Sequence, residues 1–425
     1  MYSSNLASSR SYNFLVSVAR VLLGCWLFEF ETNAGDWPQL LGPLRNGQSA
    51  ETNLSTRWPE EGPPVLWKRK TGEGFASPSV VSNYLVIPHR LEQEEVIECL
   101  DPRSGVTLWK TSFPTNFKDD FGSDDGPRAT PTISGNQVFL MSAEGLVTAL
   151  DISSGKLLWS VDTKTVFGAP KGFFGMACSP LVVDGRVLLN IGGREGSGIV
   201  ALDQSTGKLV WRSTGDEASY SSPVLARVGQ SSIATFFTRN GLALLQPGDG
   251  KILATYPWRS RTAASVNAAL PVVVENQIFL SASYETGAIL LRWQEGRLEK
   301  IWAKDGVISN HYATSVHHNG YLYGFDGRQE LRPSLTCVEF ATGKVMWRED
   351  QIPSGTLLTF GDFLLITLET GEVWLVKATP ARFERVARSQ LAGHGVRAYP
   401  ALSNRKLFVK SKSELVAIDL TINSQ

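Results

Sequence analysis

A short unit, Ala149-Leu150-Asp151-Ile152-Ser153-Ser154-Gly155-Lys156-Leu157-Leu158-Trp159, repeats along this chain. It returns as Ala201-Leu202-Asp203 with Thr206-Gly207 and Trp211, and as Cys99-Leu100-Asp101 with Gly105 and Trp109. Glu339, Thr342-Gly343 and Trp347 form a looser copy. Upstream lies a second marker ending on proline: Ser77-Pro78, Thr130-Pro131, Ser179-Pro180, Ser222-Pro223 and Tyr399-Pro400, with Leu270-Pro271 and Thr314-Ser315 as weaker versions. The markers recur about every 42 to 53 residues, close to the period of a four-stranded propeller blade. The pattern predicts an all-β chain: an eight-bladed β-propeller of four-stranded antiparallel blades.

Each part of the unit has a physical reading. Proline is tolerated where a strand begins, because its missing N–H costs no ladder bond there. Two alternating apolar runs follow, such as Gln137 to Met141 and Leu146 to Leu150 around the Ala143-Glu144-Gly145 turn. Asp151 then opens a turn by accepting backbone N–H bonds, and Gly155 supplies its left-handed position. The Leu157-Leu158-Trp159 strand leaves the turn, with an indole large enough to cover the seam between blades.

Seven blades run in order from Ser77, Thr130, Ser179, Ser222, Leu270, Thr314 and about Thr356, and an eighth starts at Pro400. The blade from Ser222 has Ala254 where the tryptophan would stand, and the seventh blade also lacks it. The eighth ends at Val416-Ala417-Ile418-Asp419 without an outer strand, whereas Val65-Leu66-Trp67-Lys68 has the outer-strand signature and no blade of its own. This N-terminal strand is expected to close the ring and remove the sheet edges that invite aggregation. Residues 65–425 are then the propeller, and residues 35–64 an N-terminal arm lying outside the ring.

Residues 1–34 carry the marks of an export signal. Arg10 and Arg20 supply positive charge, Val21 to Phe28 is an apolar run, and Thr32-Asn33-Ala34 offers small residues for cleavage. A lipoprotein reading stands beside it, because Leu22-Leu23-Gly24-Cys25 resembles a lipobox and would tether the chain at Cys25. Both place the protein in the periplasm or outside the cell. The mature sequence has no run of about 20 apolar residues that would span a bilayer. Lys plus Arg and Asp plus Glu balance at 41 each, so no charge excess draws the chain to nucleic acid. Cys99, Cys178 and Cys337 stand apart, without zinc-site spacing, and are expected to pack as small hydrophobes.

With the repeat on view, the chain resembles the pyrroloquinoline-quinone-like (PQQ-like) propeller repeat family. Quinoprotein alcohol dehydrogenases share this repeat with the propeller subunit of the outer-membrane β-barrel assembly machinery. Asp36-Trp37-Pro38-Gln39, Gly42-Pro43 and Arg45-Asn46-Gly47 look like an exported bacterial subgroup, as do Gly126-Pro127-Arg128-Ala129-Thr130-Pro131 and Tyr321-Leu322-Tyr323-Gly324-Phe325-Asp326-Gly327. The resemblance implies the fold over nearly all the mature chain. The adjacent cysteine pair of the dehydrogenases and a C-x-x-C-H haem motif are both missing from this sequence. No catalytic residue is carried over, and no metal site is assigned.

Propeller topology then places the site. Loops entering each inner strand share one face with the turns between second and third strands, while the Asp-x-x-Thr-Gly turns repeat on the opposite face. Function is expected on the first, variable face, at the channel mouth. The entering loops bring Arg128, Tyr220, Asn267, His311, Tyr312, His394 and Arg397 there, and the turns add Glu144, Arg194, Glu195, Arg239, Glu285 and Glu369. The Phe113 to Arg128 loop carries Asp119, Asp120, Asp124 and Asp125; a lid, a cation site and a solvated acidic loop are its three readings. His317 and His318 fall on the opposite face, and Phe173-Phe174-Gly175-Met176 is a candidate channel plug.

Two functions follow. The preferred one is a non-catalytic exported scaffold that binds a protein, peptide or glycan partner on the first face and needs no cofactor. The alternative is a PQQ-dependent alcohol or sugar dehydrogenase, with the quinone carboxylates on Arg128 or Arg397 and Glu144 or Glu285 helping to hold calcium.

Overall fold

The structure is a computed structural model that describes residues 35–229, 231–260 and 266–422. The export signal and Cys25 lie outside the described residues. Helix among them is confined to one turn at Thr163–Phe167 and a 3₁₀ turn at Gln329–Leu331. No helix among them is long and apolar enough to cross a membrane.

Eight antiparallel sheets follow one another around the ring. Blade 2 is representative, with strands Thr132–Ser134, Gln137–Met141, Leu146–Asp151 and Leu157–Asp162 from the channel outward. Its two middle strands are covered on both faces by neighbouring blades, and Val138 to Met141 are all buried. They therefore read as continuous apolar runs. The outer strand touches a neighbour at fewer points: Leu157 and Leu158 are exposed while Trp159 is buried. Phe139 and Val147 of blade 2 pack with Val187 and Leu189 of blade 3 in one cluster, each buried side chain contributing roughly 1.5–3 kcal/mol.

Each outer-strand tryptophan of the repeat crosses to the next blade. The Trp109 indole N–H donates to the Ile152 carbonyl at 2.6 Å, and its ring lies against Gly155, where an added Cβ would sit 2.4 Å from the indole. Trp159 with Gly207, Trp211 with Gly250, Trp302 with Gly343 and Trp67 with Gly105 repeat the contact. The repeated turn glycine is thus fixed both by its positive φ and by the neighbour's indole. All three described cysteines are buried and free.

The eighth blade closes as expected: Val65–Lys70 pairs antiparallel with Glu414–Asp419. The arm is different. Residues 35–49 are not outside the ring but run into its channel from the second face. Asp36 accepts from the Ser82 N–H, Trp37 bridges to Val80, and the Pro38 carbonyl accepts from Ile133. Gln48–Ser49 adds a short parallel strand to the inner edge of blade 7, beside Thr359 and Phe360. Arg45, 2% exposed, reaches the carbonyls of Ser179 and Pro223 at 3.1 and 2.9 Å and the Thr132 hydroxyl at 3.1 Å. It also donates to the Pro180 carbonyl. Residues 50–64 then leave towards blade 8, with Leu54 bridging Thr421. Local pattern could not reveal this, because the contacts that hold the plug in the ring are made with residues distant in sequence.

Candidate functional site: a blind cavity in the first face

The hydroxyls that precede the proline markers link the inner strands. Ser77 N–H donates to Thr130 Oγ1, Thr130 N–H to Ser179 Oγ and Ser179 N–H to Ser222 Oγ, at 3.2, 2.9 and 2.9 Å. On the far side Leu270 N–H donates to Thr314 Oγ1 at 2.9 Å. Thr314 N–H reaches the Tyr399 hydroxyl across blade 7, and Tyr399 N–H returns to Ser77 Oγ at 2.9 Å. This girdle holds the entering loops in fixed register.

Above it opens a cavity of about 700 Å³, a volume typical of ligand pockets. Leu40 of the plug lines its base, together with Ser77, Thr130, Ser179 and Ser222. The wall comes from one register position, two residues before each marker. Phe75, Arg128, Ala177 and Tyr220 occupy it in blades 1 to 4, and Ala268, Tyr312 and Arg397 in blades 5, 6 and 8. Carbonyls one residue earlier tie two pairs of these loops together: Pro127 accepts from Phe75 and Ala76, and Asn267 accepts from Tyr220 and Ser221.

The charged groups of the wall are paired. Arg128, whose side chain is 8% exposed, meets Asp119, 0% exposed, at 2.5 Å. The guanidinium also lies 5.2 Å from the Phe117 ring and 5.7 Å from Phe75. Arg397 pairs with Glu369 at 2.8 Å and stacks over Phe75 at 5.1 Å. Tyr312 donates its hydroxyl to the same Glu369 oxygen at 3.0 Å; burial, with the Glu369 charge, pushes that phenol well above its ordinary pKa. Burial lowers the pKa of His311, which keeps it neutral near pH 7. Its Nε2 lies 3.1 Å from the Tyr284 hydroxyl and its Nδ1 meets Gln329 Oε1. Tyr220 accepts from the Phe174 N–H at 3.1 Å.

Of the residues expected here, Arg128, Tyr220, His311, Tyr312 and Arg397 line the cavity. Asn267 is buried behind the wall, donating to the Thr238 carbonyl at 2.8 Å. Glu144 is elsewhere, accepting from Thr115 Oγ1 and Asn116 N–H at 2.8 and 3.1 Å. Glu285 and His394 are exposed and do not line it. The acidic loop is a lid fastened by cations: besides the Arg128 pair, Lys118 meets Asp125 at 2.5 Å and Lys171 meets Asp120 at 2.6 Å. It carries Phe121 onto Phe174, ring centroids 5.1 Å apart. Phe173 and Phe174 line the cavity rather than plugging the channel, a place taken by residues 35–49. Phe75 was missed although it shares the register of Tyr220. Tyr284 and Arg328 sit in second-to-third-strand turns, where no repeated marker points to them.

Oxygen donors for a hard cation have to converge, and among the described residues no three His, Cys, Asp or Glu side chains do so. The PQQ and calcium arrangement expected from Arg128, Arg397, Glu144 and Glu285 does not fit. Both arginines are occupied, and neither glutamate lines the cavity.

A family profile described as outer membrane protein assembly factor BamB matches residues 93–349. The chain is 23% identical to the protein of that name from Yersinia pestis, over 95% of this chain and 96% of that one. It is 24% identical to the dehydrogenase subunit of a quinone alcohol dehydrogenase from Gluconobacter oxydans over 55% of its own length, but spans only 33% of that subunit. A BamB from Moranella endobia, 25% identical, is spanned over 63% of its length. Among solved structures, BamB from Moraxella catarrhalis superposes with a TM-score of 0.63 at 12% identity, covering 85% of this chain and 99% of that one. Quinohemoprotein alcohol dehydrogenase from Comamonas testosteroni gives 0.54 at 13% identity, covering 92% and 81%. These structural likenesses concern the fold alone.

Proposed function

The chain belongs to the family described as outer membrane protein assembly factor BamB, and we propose that it is an exported scaffold whose first-face cavity grips a segment of a partner polypeptide. The chemistry of the cavity carries this reading: aromatic walls on a rigid girdle, with Arg128 and Arg397 neutralised within the fold. Partner-binding surfaces are enriched in aromatic residues and arginine at their anchor points. Phe121 and Phe173, 66% and 42% exposed, extend the apolar surface beyond the mouth. The family description favours a polypeptide over a glycan. The N-terminal sequence and the names of the relatives favour the periplasm.

The test is site-specific photo-crosslinking from position 173 in the full chain, in cells. A crosslink to a defined polypeptide, lost when Ala268→Trp fills the cavity and the melting temperature is unchanged, supports the reading. No crosslink, or one indifferent to the filled cavity, rejects it. The PQQ-dependent alcohol or sugar dehydrogenase remains a second reading, supported by the quinone relatives and opposed by the donor set. Tight, calcium-dependent binding of PQQ in calorimetry would reinstate it; no binding at high micromolar cofactor removes it.

A further inference from the structure

Two further features of the cavity bear on what it can hold. The cavity is blind: Leu40 lies at its base and Arg45, hydrogen-bonded to the starts of three inner strands, occupies the channel below. A chain that enters cannot pass through, so it must end inside or double back. The second feature is Arg328. Of the three arginines on the wall it alone has no carboxylate partner among the described residues; its half-buried guanidinium lies 5.1 Å over the Tyr284 ring. Glu330, on the same turn, is exposed and accepts from the Gln329 amide at 2.7 Å. A cation stacked on an aromatic face keeps its in-plane N–H donors free, in the fork that suits a carboxylate.

We infer that the cavity captures the carboxyl-terminal end of a polypeptide whose last residue is aromatic or long aliphatic, with the terminal carboxylate on Arg328 and the side chain among Phe75, Tyr220 and Tyr284. This deepens the scaffold reading and rests on it. Capture of a chain terminus is an established recognition mode, and the blind base supplies its geometry. An internal segment could offer Arg328 a carboxylate only from an Asp or Glu side chain, and its chain would have to double back from the blind base.

The full chain is titrated, by fluorescence anisotropy, with an amino-terminally labelled pentapeptide ending in Ala-Phe, as the free acid and as the amide. The acid should bind about tenfold tighter than the amide, the factor expected for one charge-assisted contact. Arg328→Gln should erase the difference, Arg328→Lys should restore part of it, and Glu330→Gln should leave it intact. Acid and amide binding equally, or discrimination that survives Arg328→Gln in a folded variant, overturns the chain-end inference and leaves the cavity reading standing. Failure of both peptides to bind overturns the two together.

Discussion

Arg45 is a charge inside the ring with carbonyl and hydroxyl partners and no carboxylate. Burial lowers its pKa to about 10, so the guanidinium remains charged at pH 7, and its fork ties the starts of blades 2, 3 and 4 to one point. Arg45→Ala should cost at least about 3 kcal/mol in urea unfolding, because it strands buried acceptors and opens a void; Arg45→Lys, unable to fork, should recover only part. Glu95 is the complementary case. Burial pushes its carboxyl up to about 7, with the Glu144 charge adding to the rise and the Ala143 N–H opposing it. The folded state therefore holds a proton that the unfolded chain has released above about pH 4.5. The contribution of Glu95 should be full below that pH and fall by about 3 kcal/mol as the pH rises towards 7. Glu95→Gln should flatten this slope in denaturant melts taken from pH 4.5 to 7.5; an unchanged slope rules Glu95 out as its source. The sequence pointed to Arg128, Tyr220, Tyr312 and Arg397 because loop position alone sets their direction. It misled on Glu144 and Glu285, whose backbone turns share the face but whose side chains do not enter the cavity.

The coupling of tryptophan to the neighbour's turn bears on two places where the repeat breaks. Ala254 faces blade 5, whose third and fourth strands join in the tight Gln294–Arg297 hairpin and offer no turn glycine of the repeated kind. Ala387, the equivalent residue of blade 7 opposite Leu375, faces blade 8, where the third strand ends at Asp419 and no such turn follows. At these two boundaries the tryptophan and the neighbour's turn glycine are missing together, whereas Trp347 of blade 6 is kept and donates to the Thr379 carbonyl of blade 7 at 2.8 Å, in a turn without glycine. Gly155→Ala, with φ near +69° and the Trp109 ring at 2.4 Å, should destabilise by about 2–3 kcal/mol. Gly185→Ala, with φ near +71° and nothing within 4 Å, should cost only about 1 kcal/mol. In a double-mutant cycle Trp109→Ala should absorb much of the Gly155→Ala cost, and strict additivity would show that indole and turn are uncoupled. Strands and turns were legible because each blade carries its own alternation and punctuation. The hydroxyl girdle was half legible: the Ser-Pro and Thr-Pro pairs marked strand starts, but the role of the hydroxyl emerges only when neighbouring blades are side by side.

The ring is closed by a strand from the far end of the sequence, and its channel is filled by the segment just before it. Deleting residues 35–69 should expose the edge of the Glu414–Asp419 strand and empty the channel together, giving oligomers in size-exclusion chromatography; a stable monomer would show that closure is dispensable. Replacing only 37–47 by a Gly/Ser linker should spare the closing strand and lower the melting temperature without oligomers. The closing strand was readable from composition because an outer strand without a blade and a blade without an outer strand imply each other. The plug motif was equally visible, yet no local rule says that a segment belongs inside a channel. Pairing Val65–Lys70 with Glu414–Asp419 also imposes an order in time. The segment synthesised early has no docking surface until the last blade has been made, so it must wait through the synthesis of nearly the whole chain. Closing so long a loop is slow, and during that wait an incomplete blade is open to any other strand with an unpaired edge.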